Sequence, residues 1–133
     1  MESGSHRLRE VLQLLQVQAP RLGLKSLHAY LYVAGQPGCR VMDLARGCGF
    51  DMATASRSVR ALGPADAAWA LPPASGWVDQ YQGASDGRER LLFLSAEGRR
   101  LLRVIEGVLA GAADEESVEA RRPTLAATWE ALR

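Results

Sequence analysis

The strongest constraint on the fold lies between Val41 and Leu62, where a glycine separates two short helical patterns. Gly49 can adopt the left-handed conformation that ends a helix, and Asp51 is an N-cap residue for the next helix. In the first pattern, apolar residues recur at intervals of three and four, at Val41, Leu44, Ala45 and Cys48. Two short amphipathic helices joined by a turn that contains glycine predict a helix-turn-helix.

The second helix of this motif, predicted over residues 52–62, is informative on its outward face. Its apolar side chains are Met52, Ala55, Val59 and Leu62. At about 100° per residue, Arg57 points most nearly away from them, beside Ala53, Thr54, Arg60 and Ala61. A small, hydroxylated and cationic face fits a DNA major groove, where Arg and Thr reach phosphates and base edges. A solvated helix with arginines for solubility explains the same residues, so this segment alone leaves both interpretations open.

Apolar spacing predicts three further helices, over residues 6–17, about 22–34 and 96–109. The last of them follows Ser95, an N-cap residue, and has Glu97 in its first turn, where a carboxylate suits the helix dipole. Its apolar residues cover more than one face, which indicates packing on its own domain and on another subunit. Trp129 and Leu132 belong to an amphipathic tail that either folds back or crosses a dimer interface.

Strand-forming residues on either side of a polar turn predict a β-hairpin over residues 77–94. A short strand is also expected over residues 39–41, and residues 63–75 form a long link between the helix-turn-helix and the hairpin. A hairpin in this position is the wing of a winged helix. Its tip carries Arg88 and Arg90, which suit contact with a phosphate backbone or a minor groove, although an ordinary surface hairpin also fits.

The composition restricts the classes of function. The 133 residues fit one domain, and a formal net charge of +1 argues against indiscriminate nucleic-acid binding while leaving room for a local cationic patch. Arginines cluster around the helix-turn-helix, at Arg40, Arg46, Arg57 and Arg60, whereas acid collects near the C-terminal end. Without a bilayer-spanning apolar run or the apolar core of a signal peptide, we expect a cytoplasmic protein and no membrane partner.

No residue pattern indicates catalysis. The sequence has no Gly-rich phosphate loop, and its general bases near neutral pH are limited to His6 and His28. Cys39 and Cys48 lack the neighbours of a zinc site, and a redox-sensing role would require a lowered thiol pKa and exposure. We therefore expect no enzyme activity, no metal and no cofactor, with Cys48 as a core residue.

Taken in order, these motifs resemble the MarR family of bacterial winged-helix regulators. The likeness spans about residues 27–109 and is carried by DLA at 43–45, TASR at 54–57, Leu62, DGR at 86–88 and LSAEG at 94–98. The last motif looks like the family's Leu-Thr-x-x-Gly opening of the helix after the wing. The resemblance implies a DNA-binding core over residues 21–95 and a homodimer held by helices in residues 1–20 and 96–133. It also implies two recognition helices in successive major grooves of a palindromic operator.

Carried over by position, the resemblance implies that the recognition helix contacts DNA through Thr54, Ser56 and Arg57. It also implies a wing contact by Arg88, braced by Asp86. We add two further candidates, Arg60 from the helical geometry and Arg90 from its place in the wing.

Two features depart from the family pattern. The link 63–75 is much longer than the usual one, and is either an extra loop over the DNA or a lid on a ligand cleft. Gly87 stands where a second basic residue is frequent. Many relatives bind small phenolic or other aromatic effectors, so such a molecule is a candidate partner here.

The sequence thus predicts a mainly α fold with a small β-hairpin wing (α+β), a winged helix-turn-helix with N- and C-terminal dimerisation helices. The predicted function is that of a sequence-specific double-stranded DNA-binding transcriptional regulator, most simply a repressor. The alternative is a winged-helix protein-interaction adaptor, in which the link or the acidic tail binds a partner. The near-neutral net charge of the chain favours this alternative.

Overall fold

The computed structural model describes residues 3–83 and 89–111 of this chain. The elements follow in the order α1 (Gly4–Gln18), α2 (Leu24–Gly35), α3 (Val41–Cys48), α4 (Met52–Arg60), β1 (Val78–Gln82), β2 (Arg90–Leu94) and α5 (Ala96–Ala110). This is the mainly α architecture with one hairpin that the sequence predicts. Asp86, Arg88, Trp129 and Leu132 lie outside the described residues.

The described residues form two compact units. Residues 21–99 make up the winged-helix unit, which holds α2, α3, α4 and the hairpin. Residues 3–20 and 100–111 make up the helical unit, which holds α1 and most of α5. The expectation that the whole chain is one domain stays a prediction.

The turn between α3 and α4 has the geometry that the sequence predicts. Gly49 is left-handed, with φ 72° and ψ 31°, and its N–H donates to the carbonyl of Ala45. Asp51 has an extended backbone, and its Oδ1 accepts from the N–H of Thr54 at 2.7 Å. These two confirmed features end one helix and begin the next within a few residues.

The beginning of α3 uses a different device from a side-chain N-cap. Asp43, in the first turn, reaches back so that its Oδ2 accepts from the N–H of Arg40 at 3.0 Å. The strand expected over 39–41 is reduced to one bridge between Cys39 and Leu92, because α3 begins at Val41. This bridge attaches the chain before α3 to the hairpin.

The hairpin pairs β1 and β2 antiparallel, with Val78 opposite Leu94 and Gln82 opposite Arg90. Val78, Leu92 and Leu94 are buried and lie on one face of the ladder, since alternate residues share a face. The strand expected from Trp77 begins one residue later, at Val78. The N–H groups of Trp77 and Val78 both donate to the carbonyl of Leu62, which holds the start of β1 to the chain after α4.

One junction joins the hairpin to the start of α5. Ser95 donates from its hydroxyl to the carbonyl of Gly76 at 2.6 Å and accepts from the N–H of Gly98 at 3.0 Å. The N–H of Ser95 donates to the carbonyl of Trp77 at 2.9 Å, and the hydroxyl of the buried Tyr30 donates to the carbonyl of Gly98 at 2.7 Å. These bonds connect α2, the hairpin and α5 at a single point in the core of the winged-helix unit.

The helical unit buries one side of each of its helices and exposes apolar residues elsewhere. Val11 and Leu15 of α1 are buried, and Arg7 Nη1 donates to the carbonyl of Leu109 at 3.3 Å. On α5 the buried residues are Leu101, Val104, Ile105 and Val108. By contrast, Leu8 and Leu12 are 52% and 41% exposed. None of the helices in the described ranges is both long enough and apolar enough to span a membrane.

Gly98→Ala is expected to destabilise the protein by roughly 1–3 kcal/mol, the usual range for overpacking. A Cβ at this position would lie 2.1 Å from the carbonyl oxygen of Trp77, so the backbone itself must shift. This opposes the gain of about 1 kcal/mol that alanine normally brings to a helix. Urea unfolding followed by circular dichroism measures the change.

Gly107→Ala is the matched control on the same helix, because a Cβ there meets no described atom within 4 Å. It is expected to leave stability unchanged or to raise it by up to about 1 kcal/mol. Equal effects of the two substitutions would contradict the close approach at Gly98.

Candidate nucleic-acid interface

The outward face of α4 is formed by exposed and half-buried residues that the sequence singled out. Arg57 and Ala53 are exposed, while Thr54 and Ser56 are half-buried beside them. The inner face is buried through Ala55, Ser58 and Val59. The structure therefore brings Thr54, Ser56 and Arg57 together on one accessible stretch of helix.

Two residues of this segment differ from the expected helical face. Met52, expected in the core, is 52% exposed, because it opens the helix beyond the packed interior. Ala61, expected beside Arg57, is buried. The helix ends at Arg60 and not at residue 62, and the following chain folds over Ala61, whose carbonyl accepts from the N–H of Ser75 at 3.1 Å.

Asp51, the N-cap residue of α4, has a pKa below its ordinary value. The N–H of Thr54 lowers the pKa of Asp51 most, followed by the Thr54 side chain and the positive charges of Arg57 and Lys25. The carboxylate is therefore ionised at neutral pH and fixes the first turn of α4. Lys25 and Arg57 thus both contribute positive charge that favours the ionised carboxylate of Asp51.

Lys25 is a candidate that sequence reasoning missed. It is exposed in the first turn of α2, which contains no acidic residue. The next residue, Ser26, is buried and donates from its hydroxyl to the carbonyl of Ser58 at 3.2 Å. This bond holds the beginning of α2 against α4. No local pattern could reveal Lys25, because only the packing of two helices brings it close to Asp51.

Two carboxylates compensate the positive charge of Arg40. Its Nε lies 3.2 Å from Asp43 Oδ2, and its Nη1 lies 3.2 Å from Glu89 Oε1. The Arg40 side chain, with its backbone N–H, lowers the pKa of Asp43, so this carboxylate also stays ionised. Arg40 thus ties the start of α3 to the base of the hairpin.

Arg60 has a protein partner that the sequence did not indicate. The side chain is half-buried, and its Nε donates to the carbonyl of Trp69 in the link at 2.8 Å. The idea that Arg60 contacts DNA stays a prediction, since this bond engages one side of the guanidinium.

The wing is described at its base only. Arg90 is exposed as the first residue of β2, opposite Gln82. Asp86 and Arg88, the expected brace and contact, lie outside the described residues. On the outer side of the hairpin, the rings of Tyr81 and Phe93 meet edge to face with centroids 5.7 Å apart.

Neither Cys39 nor Cys48 has the lowered thiol pKa that redox sensing requires. Cys39 is buried, and burial together with the charge of Asp43 raises its pKa to about 11. Cys48 is half-buried, and burial raises its pKa as well. Within residues 3–83 and 89–111, no three His, Cys, Asp or Glu side chains are placed to share a metal ion.

No protein-family model matches this sequence, and comparison with curated proteins gives no significant match. Several solved structures are similar. The PcaV transcriptional regulator from Streptomyces coelicolor aligns with a TM-score of 0.54 and 23% identity, over 95% of this chain and 98% of that chain. A MarR transcriptional regulator from Methanosarcina mazei Go1 aligns with a TM-score of 0.58 and 15% identity, over 95% and 90%. Streptococcus pneumoniae FabT, in complex with DNA, aligns with a TM-score of 0.54 and 16% identity, over 92% of this chain and 85% of that chain.

Likeness at such identities is evidence about the fold. The five described helices and the antiparallel hairpin match the architecture of these neighbours. The chain therefore has the winged helix-turn-helix fold seen in MarR-family regulators.

The raised pKa of Cys39 predicts a loss of stability in alkali. Its ordinary value is 9.0 and its value in the folded protein is about 11, so the folded state favours the neutral thiol. This contribution is fully present below pH 9 and is lost as the pH rises from 9 to about 11. Chemical denaturation of the wild type and of Cys39→Ala at several pH values measures it.

We expect the difference in unfolding free energy between these two proteins to be constant at lower pH and to shrink across that window. Cys48→Ala serves as the comparison, since this thiol is only half-buried. A difference that stays constant up to pH 11 would contradict the burial argument.

Proposed function

We propose that this protein is a sequence-specific, double-stranded DNA-binding transcriptional regulator of the MarR type, and that it acts as a repressor in the cytoplasm. The observation that carries the proposal is the exposed Arg57 on the outward face of α4, in a helix-turn-helix whose turn is fixed by Gly49 and Asp51. The FabT neighbour, whose structure contains DNA, supports it.

In this proposal α4 is the recognition helix and enters the major groove. Arg57 contacts a phosphate or a guanine edge, and Thr54 and Ser56 supply hydroxyl groups. Ala53 keeps the approach unobstructed, and the exposed Met52 is suited to a thymine methyl group. The half-buried state of Thr54 and Ser56 directs them to short contacts close to the helix.

In this proposal, residues around the recognition helix contact the phosphate backbone of the DNA. Lys25 reaches a phosphate next to the beginning of α4, which extends the contact surface to α2. In the wing, Arg90 and Arg88 contact the phosphate backbone or the minor groove, and Asp86 braces Arg88. Each such ion pair with a phosphate releases counterions, so binding weakens as salt concentration rises.

The acting species in this proposal is a homodimer on a palindromic operator. Leu8 and Leu12, one helical turn apart, expose apolar surface on α1, as Leu109 does on α5. A symmetric interface would cover such surface, and two recognition helices would then read two half-sites. A small aromatic effector remains a prediction of the sequence resemblance.

Arg57→Ala is expected to lower operator affinity by about 1–3 kcal/mol, because a long cationic side chain on the reading face is lost. The operator is first selected from random duplexes or from DNA upstream of the gene. Fluorescence anisotropy at several salt concentrations then compares the variant with the wild type.

Arg103→Ala is the matched control, since Arg103 is an exposed arginine on α5 away from α4 in the chain. It should bind within about twofold of the wild type, as most surface substitutions change free energies by less than 0.5 kcal/mol. Absence of salt-sensitive wild-type binding at low salt would reject the regulator and favour the adaptor. Unchanged affinity of Arg57→Ala would remove the proposed reading face.

Leu12→Glu is expected to convert the dimer into a monomer, because it places a charge in the apolar surface of α1. Sedimentation velocity measures the molar mass, and circular dichroism confirms that the helices remain. Gln13→Glu, an exposed neighbour, is the control and should leave the mass unchanged. A monomeric wild type, or a Leu12→Glu dimer, would contradict the proposed use of this face.

A further inference from the structure

The end of α4 is held by the link that follows it. The last carbonyl groups of a helix have no partner inside that helix and need donors from elsewhere. Here the carbonyl of Arg60 accepts from the N–H of Leu71 at 2.8 Å, and that of Ala61 accepts from the N–H of Ser75. The carbonyl of Leu62 accepts from the N–H of Trp77 at 2.9 Å.

The link is folded on itself as well as on α4. The N–H of Ala67 donates to the carbonyl of Pro64, and the N–H of Ala70 donates to that of Ala67. Gly63 is buried under the indole of Trp69, whose ring atoms lie 2.5 Å from the place where a Cβ would be. The link is thus a compact cap at the end of α4, and no loose loop.

Arg60 connects the link to α4 through both its backbone and its side chain. Its backbone carbonyl accepts from Leu71, and its Nε donates to the carbonyl of Trp69 at 2.8 Å. It stands three residues after Arg57, so the two lie one turn apart on the same side of α4. Any tilt of this last turn therefore moves Arg57.

We propose that the link positions the recognition helix for base readout. In place of the DNA contact expected from the sequence, Arg60 is then a positioning residue that acts through the carbonyl of Trp69 and not through a phosphate. The proposal rests on the DNA-binding function proposed above. A tilted helix keeps most of its backbone contacts but loses alignment with base edges, because phosphates position the protein and bases specify the site.

Two substitutions separate the donor of Arg60 from its charge. Arg60→Gln places an amide nitrogen the same number of bonds from the backbone as Arg Nε, so the donor to Trp69 is kept and the charge is lost. Arg60→Lys places a methylene group there, so the charge is kept and that donor is lost. Each variant is compared with the wild type for affinity to the selected operator, affinity to unrelated duplex and salt dependence of both.

We expect Arg60→Gln to keep operator affinity within about twofold, the effect of an ordinary surface substitution. We expect Arg60→Lys to lower the ratio of operator affinity to non-specific affinity about tenfold, comparable to one mismatched base pair. The salt slope of Arg60→Lys should stay that of the wild type. Amide hydrogen exchange at Leu71 should be faster in Arg60→Lys than in Arg60→Gln.

The opposite pattern overturns the proposal. Loss of affinity in Arg60→Gln for both kinds of DNA, with a salt slope reduced by about 0.9, identifies Arg60 as a phosphate contact. A lower melting temperature of Arg60→Lys with an unchanged specificity ratio identifies a purely structural role. Failure of the proposed function is a separate outcome, since the wild type itself would then bind no duplex, and the exchange rates would still report the link.

Discussion

The winged-helix unit depends on one close approach, between the beginning of α5 and the carbonyl of Trp77. Gly98 permits it because a Cβ would lie 2.1 Å from that oxygen. Ser95 bonds to both sides of the contact, and Tyr30 bonds to Gly98 from α2. The same few atoms therefore position the hairpin, α2 and Gly76, the residue that follows the link. Any side chain at Gly98 would disturb several elements at once.

The proposed reading helix is held at each end by a different physical device. At its beginning, Asp51 accepts from the N–H of Thr54, and its ionised state suits the positive end of the helix dipole. At its end, donors of the link satisfy the carbonyls of Arg60 and Ala61. Between them, Ser26 bonds to Ser58 from α2. With both ends and the middle fixed, the backbone of the outward face is ordered before binding, which reduces the backbone entropy lost when the helix binds.

Sequence reasoning succeeded where structure is local. The left-handed Gly49 and the cap by Asp51 follow from the preferences of single residues, and both are present. It was wrong for Ala61, which is buried because the link returns over it. It also gave no indication that Glu89 before β2 compensates the charge of Arg40. Lys25 was overlooked for the same reason, since its neighbourhood with Asp51 arises from the packing of α2 on α4.

By itself, the sequence determined the order of the elements, the fold class and the outward position of Arg57. These depend on helical and strand periodicity and on capping residues, which act over a few neighbouring positions. The tertiary structure alone decided that Arg60 donates to the carbonyl of Trp69 and that the link supplies hydrogen-bond donors to the end of α4. Hydrogen bonds between distant backbone groups carry no signature in residue type, since every residue except proline offers the same N–H and every residue the same carbonyl. The link could therefore be seen in the sequence as long, but only its folded path shows that it caps α4.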